Sequence, residues 1–318
     1  MSEDIRLDGK VAVITGGGRG LGRAMALALV EAGANVIAAD IIGENLEQVA
    51  GEAASLANPG TNPGANTSAL VGVTADIRQS GDCHRVIEAA HTHFGGLDIL
   101  INNAGLLPSY AYPGRFLDGA APAKFWNLSD DVVQDVLDTN FIAHDRMTRY
   151  AVPHMIDKNW GRIVNVTTRL TTMNRTGGSP YGASKAALEM ASEIWLKDLE
   201  GTGVTVNILN PGAAGDTPGF ATPEEKRIAT ASGRLHMMHP DQMRAPAVWL
   251  VSNATDGIRG MRYDAVSWDA ARPAAEQAAQ HGRPLGFELK PKADDGDGRE
   301  GRDDKPATGT QAAYQPQT

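Results

Sequence analysis

Cysteine is nearly absent. The 318 residues hold one, Cys83, so no internal disulfide can form and a reducing, cytoplasmic setting is expected. Clustered cations are lacking too: 29 Lys and Arg stand against 38 Asp and Glu, a net charge of -9, and nowhere do they gather as phosphate neutralisation along a nucleic acid requires. No apolar run reaches the roughly eighteen residues of a membrane span, and the opening MSEDIRLDGK has no apolar stretch resembling a signal peptide. Nucleic acid and membrane are therefore not expected partners. What is present, 42% hydrophobic and 21% charged residues, is enough to bury the core of one large domain with extensions.

VAVIT at 11–15 is a short, β-branched apolar run followed at once by GGGRGLG and then RAMALALVEAG, which reads as strand, glycine turn and helix, with Gly33 closing the helix. NVIAAD at 35–40 completes a βαβ unit. The alternation continues with strands at 69–76, 97–105, 161–167 and 203–212, and helices at 81–95, 129–158 (one long helix) and 179–201. Strands apolar throughout predict a sheet covered on both faces, hence parallel. The fold class is α/β, a doubly wound parallel sheet, single domain with a C-terminal extension.

Three stretches break the rhythm. Residues 57–68 form a Pro/Gly/Asn-rich surface excursion. Residues 106–129 are long for a connection and carry aromatics, as functional loops do. From about 290 the chain has almost no aliphatic residues and cannot offset the entropy of ordering, so disorder or docking on a partner is expected. The expected organisation is a catalytic domain over 1–269, an extension over 270–289 and a low-complexity tail over 290–318.

The turn reads T-G-x-x-x-G-x-G from Thr15 to Gly22, including Gly16, Gly18, Arg19, Gly20 and Leu21. Glycines between a strand and a helix let a pyrophosphate approach the helix N-terminal N–H groups, although a turn needed only for packing would read the same. Asp40 ends the second strand about twenty residues on, where a carboxylate can accept from an adenosine ribose and repel a 2'-phosphate. Arg19 suits that phosphate or is a solvated surface residue. Asp40 decides for NAD over NADP.

Tyr181 and Lys185 lie four apart on a helix and so share a face. A phenol titrates near pH 10, and a nearby cation lowers that value, making a usable general acid or base. The spacing alone is common to exposed helix pairs.

With TGGGRGLG, AD at 75–76, NNAG at 102–105, Asn140 in LDTNF, GRIVNVTT, YGASK and NPG at 210–212 in order, the sequence resembles the short-chain dehydrogenase/reductase family from about Leu7 to Ala265. The resemblance implies hydride transfer between a nicotinamide and a secondary alcohol or ketone, in a homo-oligomer (dimer or tetramer). It implies Tyr181 as general acid/base, Lys185 binding the nicotinamide ribose and lowering the Tyr181 pKa, and Asn140 holding a water in a relay towards Lys185. Gly16, Gly18, Arg19, Gly20, Leu21, Gly22 and Asp40 would meet the adenosine and pyrophosphate end, Asp76 and Ile77 the adenine, Asn103, Ala104 and Gly105 the cleft wall, and Pro211, Gly212 and Thr217 the nicotinamide end. Alternatives are a non-catalytic NAD-binding sensor or scaffold, and a dehydratase or epimerase with the same cofactor.

Two positions depart from the pattern. Thr168 stands where the family places a substrate-orienting serine, keeping the hydroxyl and adding a methyl group. Thr167, beside it, is expected to face the other way and to tolerate loss of its hydroxyl. The family's closing Asp-Gly-Gly is replaced by GMRYDAVSWDAARPAAEQAAQHGRPLGFEL. Tyr110, Tyr112, Phe116 and Trp126 either line a substrate pocket or pack the inserted loop. His84, His91 and His93 on one surface helix, with His236 and His239, sit in no zinc spacing, so no metal is expected. Cys83 is read as a small helix residue.

Overall fold

The computed structural model describes residues 5–56, 69–117, 119–233 and 235–287. Its first half alternates as the periodicity predicts: β1 (Val11–Thr15), α1 (Gly20–Glu31), β2 (Asn35–Asp40), α2 (Gly43–Leu56), β3 (Leu70–Thr74), α3 (Ser80–Phe94) and β4 (Ile99–Asn102). Then come the one-turn α4 (Pro108–Ala111), α5 (Asp130–Leu137), α6 (Ala143–Asp157), β5 (Gly161–Asn165), the one-turn α7 (Leu170–Met173), α8 (Tyr181–Asp198) and β6 (Val204–Asn210). The remainder supplies β7 (Ala214–Gly215), α9 (Pro223–Ala231), β8 (Met237–Met238), α10 (Arg244–Leu250), β9 (Met261–Asp264), α11 (Ala274–His281) and β10 (Arg283–Pro284).

Eight strands form one sheet in the order β10-β9-β6-β5-β4-β1-β2-β3, parallel except for the antiparallel β10–β9 pair; β7 and β8 make a separate small pair. Because β1 pairs with β2 on one side and β4 on the other, the chain reverses its winding there and leaves a crevice beyond the strands' C-terminal ends. Alternate residues of β1 face opposite layers. Ala12 and Ile14 pack with Met25, Leu29 and Trp249 on one side, while Val11 and Val13 pack with Leu100, Met147 and Ile163 on the other. This two-sided burial is why the strands lack a polar face. Each fully buried large side chain stabilises by about 1.5–3 kcal/mol.

Several boundaries differ from the sequence reading. The single long helix over 129–158 is two α-helices joined by a π-helical turn, Asp138–Ile142. α2 was not visible in the periodicity that gave the other elements. Residues 270–286 do not stand apart: α11 and β10 belong to the compact unit that runs through Gly286, and β10 joins the main sheet. Trp249, Tyr263 and Trp268 form an edge-to-face and tilted aromatic cluster, with centroids 5.2–6.4 Å apart. The 57–68 excursion and the tail from 290 lie outside the described residues.

Candidate active site

A cleft of about 1010 Å³ opens at the switch point and runs from Asp40 to Phe220, large by the roughly 300–1,000 Å³ of ordinary ligand pockets. The glycine turn forms its floor. Gly16 has φ +66, and a Cβ there would lie 2.9 Å from Ala104 Cα; a Cβ on Gly22 would collide with the Gly16 carbonyl. Only glycine lets the turn close this tightly against the end of β4. The buried Thr15 hydroxyl accepts from the Asn103 and Ala104 N–H groups at 3.0 and 3.1 Å, and the Asn103 side chain donates to the Thr15 carbonyl at 2.9 Å. Thr217 rests on the other side of the turn, its Cγ2 2.8 Å from the Cβ position of Gly20, and Pro211 and Gly212 line the cleft nearby. The start of α1, with Gly20, Leu21 and Gly22 along the cleft and no side-chain cap, could hold a pyrophosphate through its N–H groups.

Asp40 is buried at the far end, accepting from the Gly18 N–H at 3.0 Å and the Ile42 N–H at 3.1 Å. Each carboxylate oxygen keeps acceptor capacity for a ribose hydroxyl. Arg19 points elsewhere: Nη2 lies 3.5 Å from the Cβ position of Gly219. Asp76 and Ile77 line the same end, and Arg78 clamps the Asp76 carboxylate at 2.8–3.1 Å, holding it below the usual carboxylate range. Arg78 also reaches Asp135 on α5 at 2.6 Å. These fixtures suit a dinucleotide.

At the other end Tyr181, Thr168 and Lys185 meet. Tyr181 and Lys185 open α8 on one face, both buried, and Thr168 follows β5. Burial pushes the Tyr181 phenol above its usual value, opposed by the Thr168 hydroxyl acting as a hydrogen-bond partner and by the charge of Arg175. Burial lowers Lys185 itself to about 7, which weakens it as a cation at neutral pH, and its ammonium donates to the Val166 carbonyl at 2.9 Å. Asn140 lies in the π-turn, fully buried, donating to the Leu106 carbonyl (2.9 Å) and Ser184 (3.1 Å) and accepting from the Leu106 N–H (2.8 Å). A single-turn π segment at such a position is a common functional device. Asn140 Oδ1 and Lys185 Nζ flank Gly105, 3.2 and 3.6 Å from its Cβ position.

Other residues support this cluster that sequence reasoning missed. Glu189, one turn beyond Lys185, is fully buried and faces Arg262 of β9 at 3.5 Å; Arg262 Nη2 donates to the Thr168 carbonyl at 2.9 Å. Thr167 corrects an expectation. Its side chain does not face an indifferent environment but is buried, its hydroxyl donating to Glu189 at 3.2 Å, because α8 covers the strand end on that side. Asn102, Asn165 and Ser192 link β4, β5 and α8 with bonds of 2.8 and 2.7 Å. His144, on the first turn of α6, is fully buried, and burial and then the Lys185 charge hold it well below its usual value, so it is neutral. The i+4 and i+8 spacing from Tyr181 could have singled out Glu189; nothing in the sequence pointed to Arg262.

The remaining candidates divide. Tyr110 lines the cleft and donates to Asp135, whereas Phe116 is buried against Phe220, itself a cleft residue, at 5.7 Å. Tyr112 lines a smaller cavity of about 500 Å³, and Trp126 is 66% exposed. His84 and His93 are exposed, while His91 turns inward to stack on His154 at 4.1 Å. His236 lines the cleft and His239 caps a 3-10 turn. Among the described residues no three metal-ligating side chains gather. Cys83 is buried and its thiol donates to the Ile77 carbonyl at 3.0 Å.

A parallel sheet wound about a glycine turn, with hydroxyl, phenol and amine gathered across the cleft, defines a Rossmann-type oxidoreductase. The pattern of the short chain dehydrogenases matches residues 10–227, and the chain belongs to that family of NAD(P)-dependent oxidoreductases. It is 29% identical over 259 residues to a 3-oxoacyl-[acyl-carrier-protein] reductase of Thermotoga maritima, covering 80% of this chain and 96% of the relative. A 2-dehydro-3-deoxy-D-gluconate 5-dehydrogenase of Pseudoalteromonas atlantica is 30% identical over 268 residues, covering 82% and 95%. Among solved structures, the 3-ketoacyl-(acyl-carrier-protein) reductase of Brucella melitensis in complex with NADH superposes with a TM-score of 0.66 at 28% identity, covering 81% of this chain and 97% of that one. A Beutenbergia cavernae protein named as an NAD(P)-dependent gluconate 5-dehydrogenase, with NADP bound at low occupancy, gives 0.67 at 28%, covering 82% and 96%. No helix among the described residues is long and apolar enough to cross a membrane.

Proposed function

We propose that the protein interconverts a secondary alcohol and a ketone with NAD, Tyr181 serving as general acid/base. The observation that carries this reading is the convergence of the Thr168 hydroxyl, the Tyr181 phenol and the Lys185 amine at one end of the cleft. NAD supplies the hydride acceptor, or in its reduced form the donor. In oxidation the Tyr181 phenolate takes the proton of the substrate hydroxyl; in reduction the phenol returns it to the carbonyl oxygen. Thr168 donates to that oxygen and orients it. Lys185 holds the nicotinamide ribose, and Asn140 holds a water that passes protons towards Lys185. Proton transfer by a positioned group contributes roughly 10²–10⁴-fold, and orientation adds more.

Gly16, Gly18 and the Arg19–Gly22 segment would hold the pyrophosphate end, Asp40 the adenosine ribose, Asp76 and Ile77 the adenine, Asn103, Ala104 and Gly105 the cleft wall, and Pro211, Gly212 and Thr217 the nicotinamide end. The buried Asp40 carboxylate favours NAD over NADP, since a 2'-phosphate beside it would meet a like charge. A homo-oligomer in the cytoplasm goes with this reading; Ile156 on α6 and Met190 and Ile194 on α8 leave apolar surface for an assembly to cover.

The test is a screen of secondary alcohols with NAD and ketones with NADH, followed by nicotinamide absorbance, with Tyr181→Phe as control. Activity that depends on the Tyr181 hydroxyl supports the reading. Turnover surviving in Tyr181→Phe removes it, and cofactor binding without turnover of any pair would favour an NAD-binding sensor.

A further inference from the structure

We infer that the substrate carries an anionic oxygen-acid group, which Arg175 in the cleft and Arg115 in the adjoining small cavity hold. This rests on the alcohol/ketone reading above and names its substrate class.

The two arginines reach this place from different segments. Arg175 belongs to the turn between α7 and α8 and lines the cleft together with Thr168 and Tyr181. Arg115 comes from the long 106–129 connection, lines the smaller cavity that shares Pro113 and Gly114 with the cleft, and reaches the same turn, where Nη1 donates to the Gly177 carbonyl at 3.4 Å. Its guanidinium is stacked on the Tyr112 and Phe116 rings, 5.5 Å from each centroid. Phe116 in turn stacks on Phe220, a cleft residue, so the inserted loop holds Arg115 through a layer of aromatic rings.

Neither arginine forms an ion pair with a described residue, although the chain is acidic overall. The acids lining the cleft are engaged elsewhere: Asp40 by the Gly18 N–H, Asp76 by Arg78, Glu225 by Thr222. The two guanidinium groups instead feel each other. Burial first, and then the Arg175 charge, oppose the charge on the half-buried Arg115, and the Arg175 charge reaches the Tyr181 phenol as well. Arg175 is exposed to solvent, but a half-buried guanidinium without a counterion is unfavourable, and a ligand with two or three anionic oxygens relieves it while matching the guanidinium fork. Because Arg175 lines the cleft together with Tyr181 and Thr168, that group belongs to the end of the substrate that reaches the reacting residues. Carboxylates and phosphate esters share this chemistry.

Binding can be read without turnover, in complexes of a ketone with the protein saturated in oxidised NAD. By isothermal titration, 3-oxobutanoate, 4-oxopentanoate and 5-oxohexanoate are each compared with their methyl esters, and dihydroxyacetone phosphate with dihydroxyacetone. At least one acid should bind about tenfold or more tighter than its neutral partner, the fold-change of one charge-assisted hydrogen bond. Arg175→Gln should remove that preference; Arg115→Gln should reduce it, and Arg115→Lys should restore part. A preference among the carboxylates alone or in the phosphate pair alone assigns the acid. Equal binding of every acid and its neutral partner, or a preference unchanged in Arg175→Gln and Arg115→Gln, overturns the inference. Acid-selective binding with no turnover of any compound would leave this site standing and remove the alcohol/ketone reading instead.

Discussion

Arg262 donates to the backbone carbonyl of Thr168 at 2.9 Å across 94 positions of sequence. Its guanidinium is 6% exposed and lies 3.5 Å from Glu189, whose side chain is fully buried. Removing one member of such a pair strands the other, whereas removing both can be nearly neutral. Arg262→Met should therefore lower the unfolding free energy by about 3–5 kcal/mol, and the double variant Arg262→Met, Glu189→Met should recover most of it. Urea denaturation checks this; a single variant within about 1 kcal/mol of wild type would mean that the pair is already solvated.

The two neighbouring threonines should separate by readout. Thr168→Ser keeps a hydroxyl beside Tyr181 and should retain turnover, while Thr168→Ala should lower kcat by roughly tenfold or more with the melting temperature little changed. Thr167→Val loses the bond to Glu189 and should cost about 1 kcal/mol of stability with a smaller effect on kcat. Steady-state kinetics and thermal melts on the same samples decide it, and a fully active Thr168→Ala would remove that residue from the proposed site.

Lys185 carries a pH signature. Its folded value is about 7 against an ordinary 10.5, because burial penalises the ammonium. Above 10.5 both folded and unfolded chains are neutral at this position; as pH falls from there to about 7 the unfolded chain takes up a proton that the folded one refuses, so stability is lost across that window and levels off below it. In the absence of cofactor, Lys185→Met should be the more stable protein at pH 7 by a few kcal/mol, and the gap should close towards pH 10.5, while its turnover is lost. Denaturant melts at a series of pH values test the slope; a gap that does not vary with pH would show the lysine is not desolvated as described.

Cofactor choice rests on Asp40. Wild type should favour NAD over NADP by at least about tenfold in kcat/KM, and Asp40→Ala should narrow that ratio by removing the charge that would oppose a 2'-phosphate. The substitution also leaves the Gly18 and Ile42 N–H groups without their acceptor, so a fall in stability of about 1–3 kcal/mol should accompany it. Equal wild-type efficiency with both cofactors would shift the choice to Arg19.

What the sequence determined by itself was most of what repeats or is local, α2 and the π turn within 129–158 excepted. Apolar runs such as VAVIT and GRIVN are covered on both faces, so their pattern alone announces a parallel sheet, and the glycine turn between β1 and α1 carries its own steric signature in Gly16 and Gly22. Tyr181 and Lys185 were legible because a helix puts residues four apart on one face whatever surrounds it. Tertiary structure alone decided the charges and the supports. Whether Lys185 is a strong cation beside Tyr181 depends on how much water each retains, and both are buried; Arg175, which lines the same cleft, lies six residues upstream in a turn with no periodicity to mark it. Thr167 faces Glu189 because α8 packs over the end of β5, and Arg262 reaches Thr168 because β9 pairs beside β6. Burial and long-range pairing are properties of the assembled layers, and no window of residues along the chain contains them.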